Sequence, residues 1–157
     1  MLPCATERAA SLGDPPSMPA VQIGLRHRVR RVSQQIAEQH RQLDTLRREV
    51  AAALERGALS DGVHALERFT AALAAHFDLE QTVFFPALHG LAPSRTHELE
   101  ALEREHGVFL AELERIGWEI ERAPAEASGR AFSRFLTDLG GHEQREERLV
   151  GAISDQG

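Results

Sequence analysis

Two histidine–glutamate pairs with the same spacing occur in this chain of 157 residues, His76 with Glu80 and His142 with Glu146. Four residues along a helix turn about 400° and rise about 6 Å, so each imidazole lies one turn from its carboxylate on the same side of the helix. Both pairs also fall on apolar stripes of predicted helices. Two such pairs facing each other could bind two metal ions and bridge them through carboxylates, if other helices supply ligands at the same height.

The composition predicts a single helical domain. Hydrophobic residues make up 42% of the chain and aromatic residues 5%, and tyrosine is absent, whereas Ala, Leu, Glu and Arg are abundant,. A net charge of -6 gives no general attraction to phosphate backbones or anionic lipid, so nucleic acid and membranes are not expected partners,. The single Cys4, and a start without a basic end and apolar run, favour a reducing cytoplasm,.

Apolar residues at three- and four-residue steps predict four helices within residues 21–153,. Residues 1–20 contain four prolines and little periodicity, and we expect them to form a disordered leader,. Because every connection is short, the helices should alternate in direction, which predicts an all-α, up-and-down antiparallel four-helix bundle. Gly57 is predicted to end the first helix, and Ser60 or Asp61 to cap the second, which the segment 86–90 closes. Ser94 is predicted to cap the third helix, which ends before Pro124, and the fourth helix begins near Ser128,.

Polar residues interrupt all four apolar stripes at similar distances from the connecting loops. Positions equally far from a connection lie level in antiparallel neighbours, and the mismatches here are within about one helical turn. The residues predicted to share this layer are His40, His76, Glu80, His106, His142 and Glu146. Glu147 competes with Glu146, but only Glu146 is nearly in phase with the apolar Leu139,. Buried carboxylates are costly unless paired or bound to metal, so the layer predicts a metal site.

Imidazole nitrogen combined with bridging carboxylate oxygen suits iron or manganese in a two-metal site. Zinc usually adopts closed tetrahedral sites and magnesium or calcium prefer oxygen ligands, so iron is favoured over manganese and zinc. The alternative is that each histidine fills space locally and each glutamate is solvated. The protein would then be a metal-free helical interaction module that uses Trp118 or its apolar faces.

Other polar residues fall outside the expected layer. We expect the remaining four histidines to lie at the surface, with His89 in a loop, and we regard Glu103 and Glu143 as solvated residues that could alternatively orient a histidine. The four histidines are His27, His64, His89 and His97.

The chain resembles the hemerythrin-like HHE cation-binding domains from about Val21 to Val150. The likeness is carried by Glu38-Gln-His40-Arg-Gln-Leu43, by His76-Phe-Asp-Leu-Glu80 leading into Phe84-Phe-Pro86, by Glu105-His106, and by His142-x-x-x-Glu146-Glu147. The resemblance implies a non-heme di-iron centre, oxo- or hydroxo-bridged, whose ligands are the six residues of the layer. The resemblance also implies that Glu80 and Glu146 bridge the two irons.

One departure from that family bears on function. Oxygen-carrying hemerythrins look to have a second histidine one turn after the third-helix ligand, and here that position is Leu110. The missing imidazole leaves a coordination position for water, oxygen, peroxide or nitric oxide. The open position argues against simple reversible oxygen storage. The function we expect is binding or sensing of oxygen, a related small oxidant or iron, and the sequence does not identify a protein partner.

The alternative function is a di-iron enzyme that disposes of peroxide or nitric oxide. An enzyme needs a proton donor near the open position, and the sequence offers no tyrosine and a Trp118 that lies off the predicted stripe. The related proteins that repair iron–sulfur clusters look to carry an additional N-terminal domain, for which residues 1–20 are too short.

Overall fold

The computed structural model describes residues 19–155, and nearly all of the expected leader lies outside that range. Its α-helices are α1 (Ala20–Glu55), α2 (Leu59–Leu79), α3 (Phe85–Leu91), α4 (Thr96–Ile120) and α5 (Ala125–Ser154). A π-helical turn, Glu80–Phe84, joins α2 to α3, so these two segments form one rod. The described residues contain no strand, and the predicted all-α four-helix bundle is confirmed.

Short connections set the order of the helices around the bundle. Rod α1 packs against α2 and α5, and α4 packs against the same two helices. Gly57 ends α1 as predicted, with a positive φ of 67° that favours glycine and reverses the chain toward α2,. No helix of the described residues combines the length and apolarity needed to cross a bilayer.

The predicted helix caps were wrong. The residues that precede α2, α4 and α5 are Ala58, Arg95 and Pro124, and none makes a side-chain capping bond. Ser60 and Asp61 fall in the first turn of α2, where the Asp61 charge still interacts favourably with the helix dipole,. Pro124 immediately precedes α5, and its ring already favours the φ angle needed at a helix start,. The helix therefore begins earlier than predicted, and Ser128 is buried one turn inside it,. Ser94 lies in a 3-10 turn, Pro93–Arg95, before α4.

The segment 86–90 does not close the second helical rod, contrary to the sequence prediction. Pro86 has no N–H to donate to the preceding turn, and the wider π-helical turn just before it accommodates that defect,. The rod therefore continues to Leu91 and includes His89, which was expected in a loop. The change of register lets both Phe84 and Phe85 enter the core.

Two apolar clusters make up the core, one on each side of the predicted polar layer. The cluster toward the α1–α2 connection takes residues from the second half of α1, most of α2, and the adjoining halves of α4 and α5. The second cluster takes the first half of α1, the α3 segment, the start of α4 and the end of α5. Each of the four rods thus carries apolar residues on both sides of its contribution to the layer.

Phe69 lies in the first cluster and tests how much that cluster stabilises the bundle. Its side chain is 0% exposed and packs edge-on against Phe132 and Phe135, with ring centroids 5.7 and 6.1 Å away. We expect Phe69→Ala to lower the free energy of unfolding by about 3–5 kcal/mol in urea denaturation, since it leaves a cavity. Val108→Ala, at a side chain that is 68% exposed, should change it by less than about 0.5 kcal/mol,. A loss below about 1 kcal/mol for Phe69→Ala would contradict the assigned core.

Candidate metal centre

The four rods bring the six predicted residues into one layer between the apolar clusters. Helix α1 contributes His40, the α2 rod contributes His76 and Glu80, α4 contributes His106, and α5 contributes His142 and Glu146. Five of these side chains are at most 5% exposed, and His40 is half-buried. Glu147, the alternative to Glu146, is exposed.

Glu80 stands at the centre of this layer. Its Oε1 lies 3.0 Å from His76 Nε2, and its Oε2 lies 3.3 Å from His106 Nε2. Two groups of side chains have ligand atoms within 4.8 Å of one another, namely His40, His76 and Glu80, and Glu80, His106 and His142. Glu80 belongs to both groups, and each group could hold a metal ion.

Most of the ligand-type atoms in the layer are buried without a hydrogen-bond partner. Leaving a buried polar atom unpaired costs about 1–3 kcal/mol, so a cluster of such atoms in one place requires an explanation. A cation would satisfy them, because neutral imidazole and carboxylate are the donors that transition metals take from proteins. The unpaired atoms are His40 Nε2, both oxygens of Glu80, both ring nitrogens of His106, His142 Nε2 and Glu146 Oε2; the Glu80 oxygens lie 3.0 and 3.3 Å from imidazole nitrogens but without the geometry of a hydrogen bond.

Burial sets the protonation of the two glutamates when no metal is bound. It raises the pKa of Glu80 to about 8. It raises the pKa of Glu146 to about 9, with the charge of Glu80 adding to the effect. Both carboxyl groups are therefore protonated at neutral pH, and a cation that bound them would displace protons.

Burial acts on the histidines in the opposite direction. It lowers the pKa of His76 and of His142, and together with the charges of those two imidazoles it lowers the pKa of His106 to about 3. Burial and the charge of His76 also lower the pKa of His40. All four imidazoles are neutral at pH 7, the form that binds metal.

Two of the histidines are oriented by residues that the sequence analysis did not single out for this role. His76 Nδ1 lies 3.2 Å from Gln39 Oε1, and His142 Nδ1 lies 2.8 Å from Glu105 Oε2. Each Nδ1–H donates to its oxygen, so each Nε2 carries the lone pair that faces the layer. Arg145 also donates a hydrogen bond to Glu105.

A regular spacing could have revealed these two partners. Gln39 immediately precedes His40 and lies 37 residues before His76, and Glu105 immediately precedes His106 and lies 37 residues before His142. The α1–α2 and α4–α5 halves of the layer therefore repeat one pattern. In each half, the residue before the first histidine reaches across to the second histidine.

Glu103 and Glu143, first considered for this orienting role, make no hydrogen bond to a histidine of the layer among the described residues. Glu103 Oε1 is 3.6 Å from His89 Nε2, and neither residue belongs to the layer. Glu143 is half-buried, and burial raises its pKa while the charges of His40 and His76 lower it. Glu143 is therefore near the α1–α2 half of the layer and is not a fully solvated residue.

Aromatic rings cover the α4 and α5 side of the layer. Phe77 stacks on His106 with ring centroids 3.9 Å apart, and Phe85 lies 5.7 Å from the same imidazole. Phe109 contacts His142 edge-on at 5.3 Å. On the α1 side, the only ring that the described residues bring against His40 is the imidazole of His76, and both His40 and Gln39 are half-buried. The two sides of the layer therefore differ in their access to water.

The remaining residues named from the sequence lie away from the layer. His27, His64 and His97 are exposed, and the side chain of His97 is 100% exposed. Leu110 packs against the first apolar cluster. Trp118 is 59% exposed, and the Arg122 guanidinium lies 4.2 Å from the centre of its ring.

Comparison with known proteins gives one match. The sequence model of the family described as the Hemerythrin HHE cation binding domain matches residues 31–153, a range that contains all six residues of the layer. No curated protein sequence and no solved structure gave a significant match.

The raised pKa values of Glu80 and Glu146 predict how the metal-free protein responds to pH. Between the ordinary glutamate pKa of 4.5 and the folded values of about 8 and 9, the folded state holds protons that the unfolded state has released. Stability must then fall as pH rises through this interval, by up to about 1.4 kcal/mol per pH unit for each carboxyl group. The four histidines of the layer have lowered pKa values and stay neutral in the folded state over this range, and the chain has no lysine or tyrosine.

We therefore expect the melting temperature, measured by circular dichroism with a chelator present, to fall between pH 7 and pH 9. The double variant Glu80→Gln/Glu146→Gln should lose most of that dependence, because an amide is neutral throughout the range. A wild-type protein whose stability stays flat or rises over this interval would show that the two carboxyl groups are not buried together.

Proposed function

Since the chain belongs to the hemerythrin HHE cation-binding domain family, we propose that its buried histidine–glutamate layer holds two iron ions. The observation that carries this proposal is the position of Glu80, whose two oxygens face imidazoles from different halves of the bundle. A site for one ion would not need a carboxylate shared between two groups of ligand atoms.

The proposed ligands divide between the two halves of the bundle. His40 and His76 would hold one iron, and His106 and His142 the other, with Glu80 bridging. Glu146 is proposed as the second bridge, because it is buried, its charge is coupled to that of Glu80, and it repeats the His76–Glu80 spacing in α5. The mixture of nitrogen and oxygen donors supports iron over zinc, and manganese is the nearest alternative.

Iron in this site would supply a reversible change between the ferrous and ferric forms and a coordination position for a small ligand. An oxo or hydroxo bridge between the two irons would complete the proposed centre. The chain's own contribution is to hold the ligands and control access. Phe77 and Phe85 shield His106 from water. Leu110 fills space against the core and offers no further donor atom. We infer from these features that the protein binds or senses oxygen, peroxide, nitric oxide or iron itself.

Glu143 favours a second candidate, an enzyme that disposes of peroxide or nitric oxide. This half-buried carboxyl group lies within electrostatic range of both His40 and His76. It is placed to hold or give up a proton on the less covered side of the layer, a role for which the sequence offered no donor. Either activity would suit a reducing compartment such as the cytoplasm, since the one cysteine cannot form an internal disulfide,.

The ligand assignment predicts metal content. We expect the wild-type protein to bind two irons per chain, and Glu80→Ala and Glu146→Ala each to lose most of that iron after anaerobic reconstitution with ferrous iron. His97→Ala should retain it, because that side chain is fully exposed. Metal analysis would be paired with circular dichroism to show that each variant is folded. Equal iron in all three variants would refute the assignment, and a folded wild-type protein without iron would favour the metal-free interaction module.

The two candidate activities differ in turnover. A binding or sensing protein should show a visible charge-transfer spectrum that changes once, with about one equivalent of peroxide or nitric oxide per di-iron centre. An enzyme should consume many equivalents when a reductant is supplied, and Glu143→Gln should slow that consumption by about 10²–10⁴-fold, the usual contribution of a proton donor. Repeated turnover that Glu143→Gln leaves unchanged would exclude Glu143 as the donor.

A further inference from the structure

The two halves of the layer repeat their ligand types but not the partners that orient them. His76 is held by the neutral amide of Gln39, and His142 is held by the carboxylate of Glu105. The nitrogen–oxygen distance is 3.2 Å for the first and 2.8 Å for the second. Hydrogen bonds to charged acceptors are generally shorter and stronger than those to amides, and the two distances differ in that direction,.

Glu105 is itself fixed in place. Arg145 lies on α5, one turn after Gly141. It donates a hydrogen bond to Glu105 Oε2, the same oxygen that accepts a hydrogen bond from His142, so these contacts join α4 to α5. Glu105 and Arg145 line a groove of about 350 Å³ between the two helices. The guanidinium of Arg145 is thus hydrogen-bonded to the carboxyl group that reaches His142, a side chain that is 1% exposed.

We propose that Glu105, held by Arg145, is a positioning residue that fixes His142 and makes the His106–His142 position bind metal more tightly than the His40–His76 position. This inference rests on the proposed di-iron function. A carboxylate that accepts from Nδ1 locks the orientation of the imidazole and makes its Nε2 a stronger donor. The neutral Gln39 can fix the ring of His76 but adds no charge.

The surroundings of the two positions act in the same direction. His106 and His142 are buried and packed against Phe77 and Phe109, so their rings are already held before metal arrives. His40, in contrast, is half-buried. More of its freedom must be lost on binding, which weakens the α1–α2 position.

A simpler account is that Glu105 forms only an interhelical ion pair with Arg145 at the surface. That account predicts a small change in stability and none in metal affinity. Glu112 provides the matched control, because it too is a carboxylate of α4 that accepts hydrogen bonds from an arginine, Arg115, but it contacts no histidine of the layer.

The test is an anaerobic titration of metal-free protein with ferrous iron, in competition with a chromophoric chelator. The wild-type protein should bind two irons in separable steps. Glu105→Gln should weaken the tighter step about 10–100-fold, the usual cost of losing such an orienting partner, and should leave the weaker step within about threefold. Gln39→Glu should strengthen the weaker step, and Glu112→Gln should match wild type.

A second measurement needs no metal. The Nδ1 proton of His142, hydrogen-bonded to a carboxylate, should give a strongly downfield proton resonance in the metal-free protein. Glu105→Gln should move it upfield or abolish it, whereas Glu112→Gln should not. If Glu105→Gln does not fold, Arg145→Gln is the substitute variant. It keeps the carboxylate but removes its anchor, and should weaken the tighter iron-binding step by a smaller factor.

The outcomes separate this inference from the proposed function. Two irons bound by wild type with unchanged affinities in Glu105→Gln, or in Arg145→Gln if the former does not fold, would overturn the inference alone. Equal weakening of both steps would also overturn it, since the effect would then be on the whole bundle. A wild-type protein that binds no iron would overturn both.

Discussion

The structure depends on one arrangement, a layer of four imidazoles and two carboxyl groups between two apolar clusters. In the absence of metal this layer has unpaired buried atoms and forces both glutamates to remain protonated. The apolar residues above and below it must therefore supply the stability that the layer lacks. Because all four rods pass through both clusters, the ligands are held at a common height before any cation binds. The bundle thus resembles other preorganised sites, in which surrounding packing offsets a locally unfavourable centre.

The π-helical turn relates the site to the packing around it. Glu80 is the first residue of that turn, and the wider backbone there follows from the proline two residues beyond its end,. The turn keeps the rod helical through Pro86, so Phe85 reaches the face of His106. One irregular turn therefore places the shared carboxylate and also supplies part of the wall around the neighbouring imidazole.

The sequence was sufficient to predict the bundle and the polar layer. Apolar residues at helical spacing predict the helices, and a histidine or glutamate that interrupts such a stripe is predicted to face the core. It failed at the helix starts, where Pro124 and Arg95 act in place of the expected serines and the structure shows no side-chain capping bond. It also failed at the π-helical turn, since a proline in a helical pattern is usually a terminus. Gln39 and Glu105 were missed for a different reason. They lie beside the buried stripe and contact a histidine of a neighbouring helix, which the apolar periodicity of a single helix cannot predict.

The repeated pattern shows why similar ligand sets need not behave alike. Each half of the layer pairs a histidine from one helix with a histidine four residues before a glutamate on the next. Within that repeat, the partner outside the ligands is an amide in one half and a carboxylate anchored by arginine in the other. Phenyl rings pack against His106 and His142, while the carboxyl group of Glu105 lies in the groove between α4 and α5. If the layer holds two metal ions as we propose, residues one step removed from the ligands can make two chemically matched positions unequal, without any change in the ligands themselves.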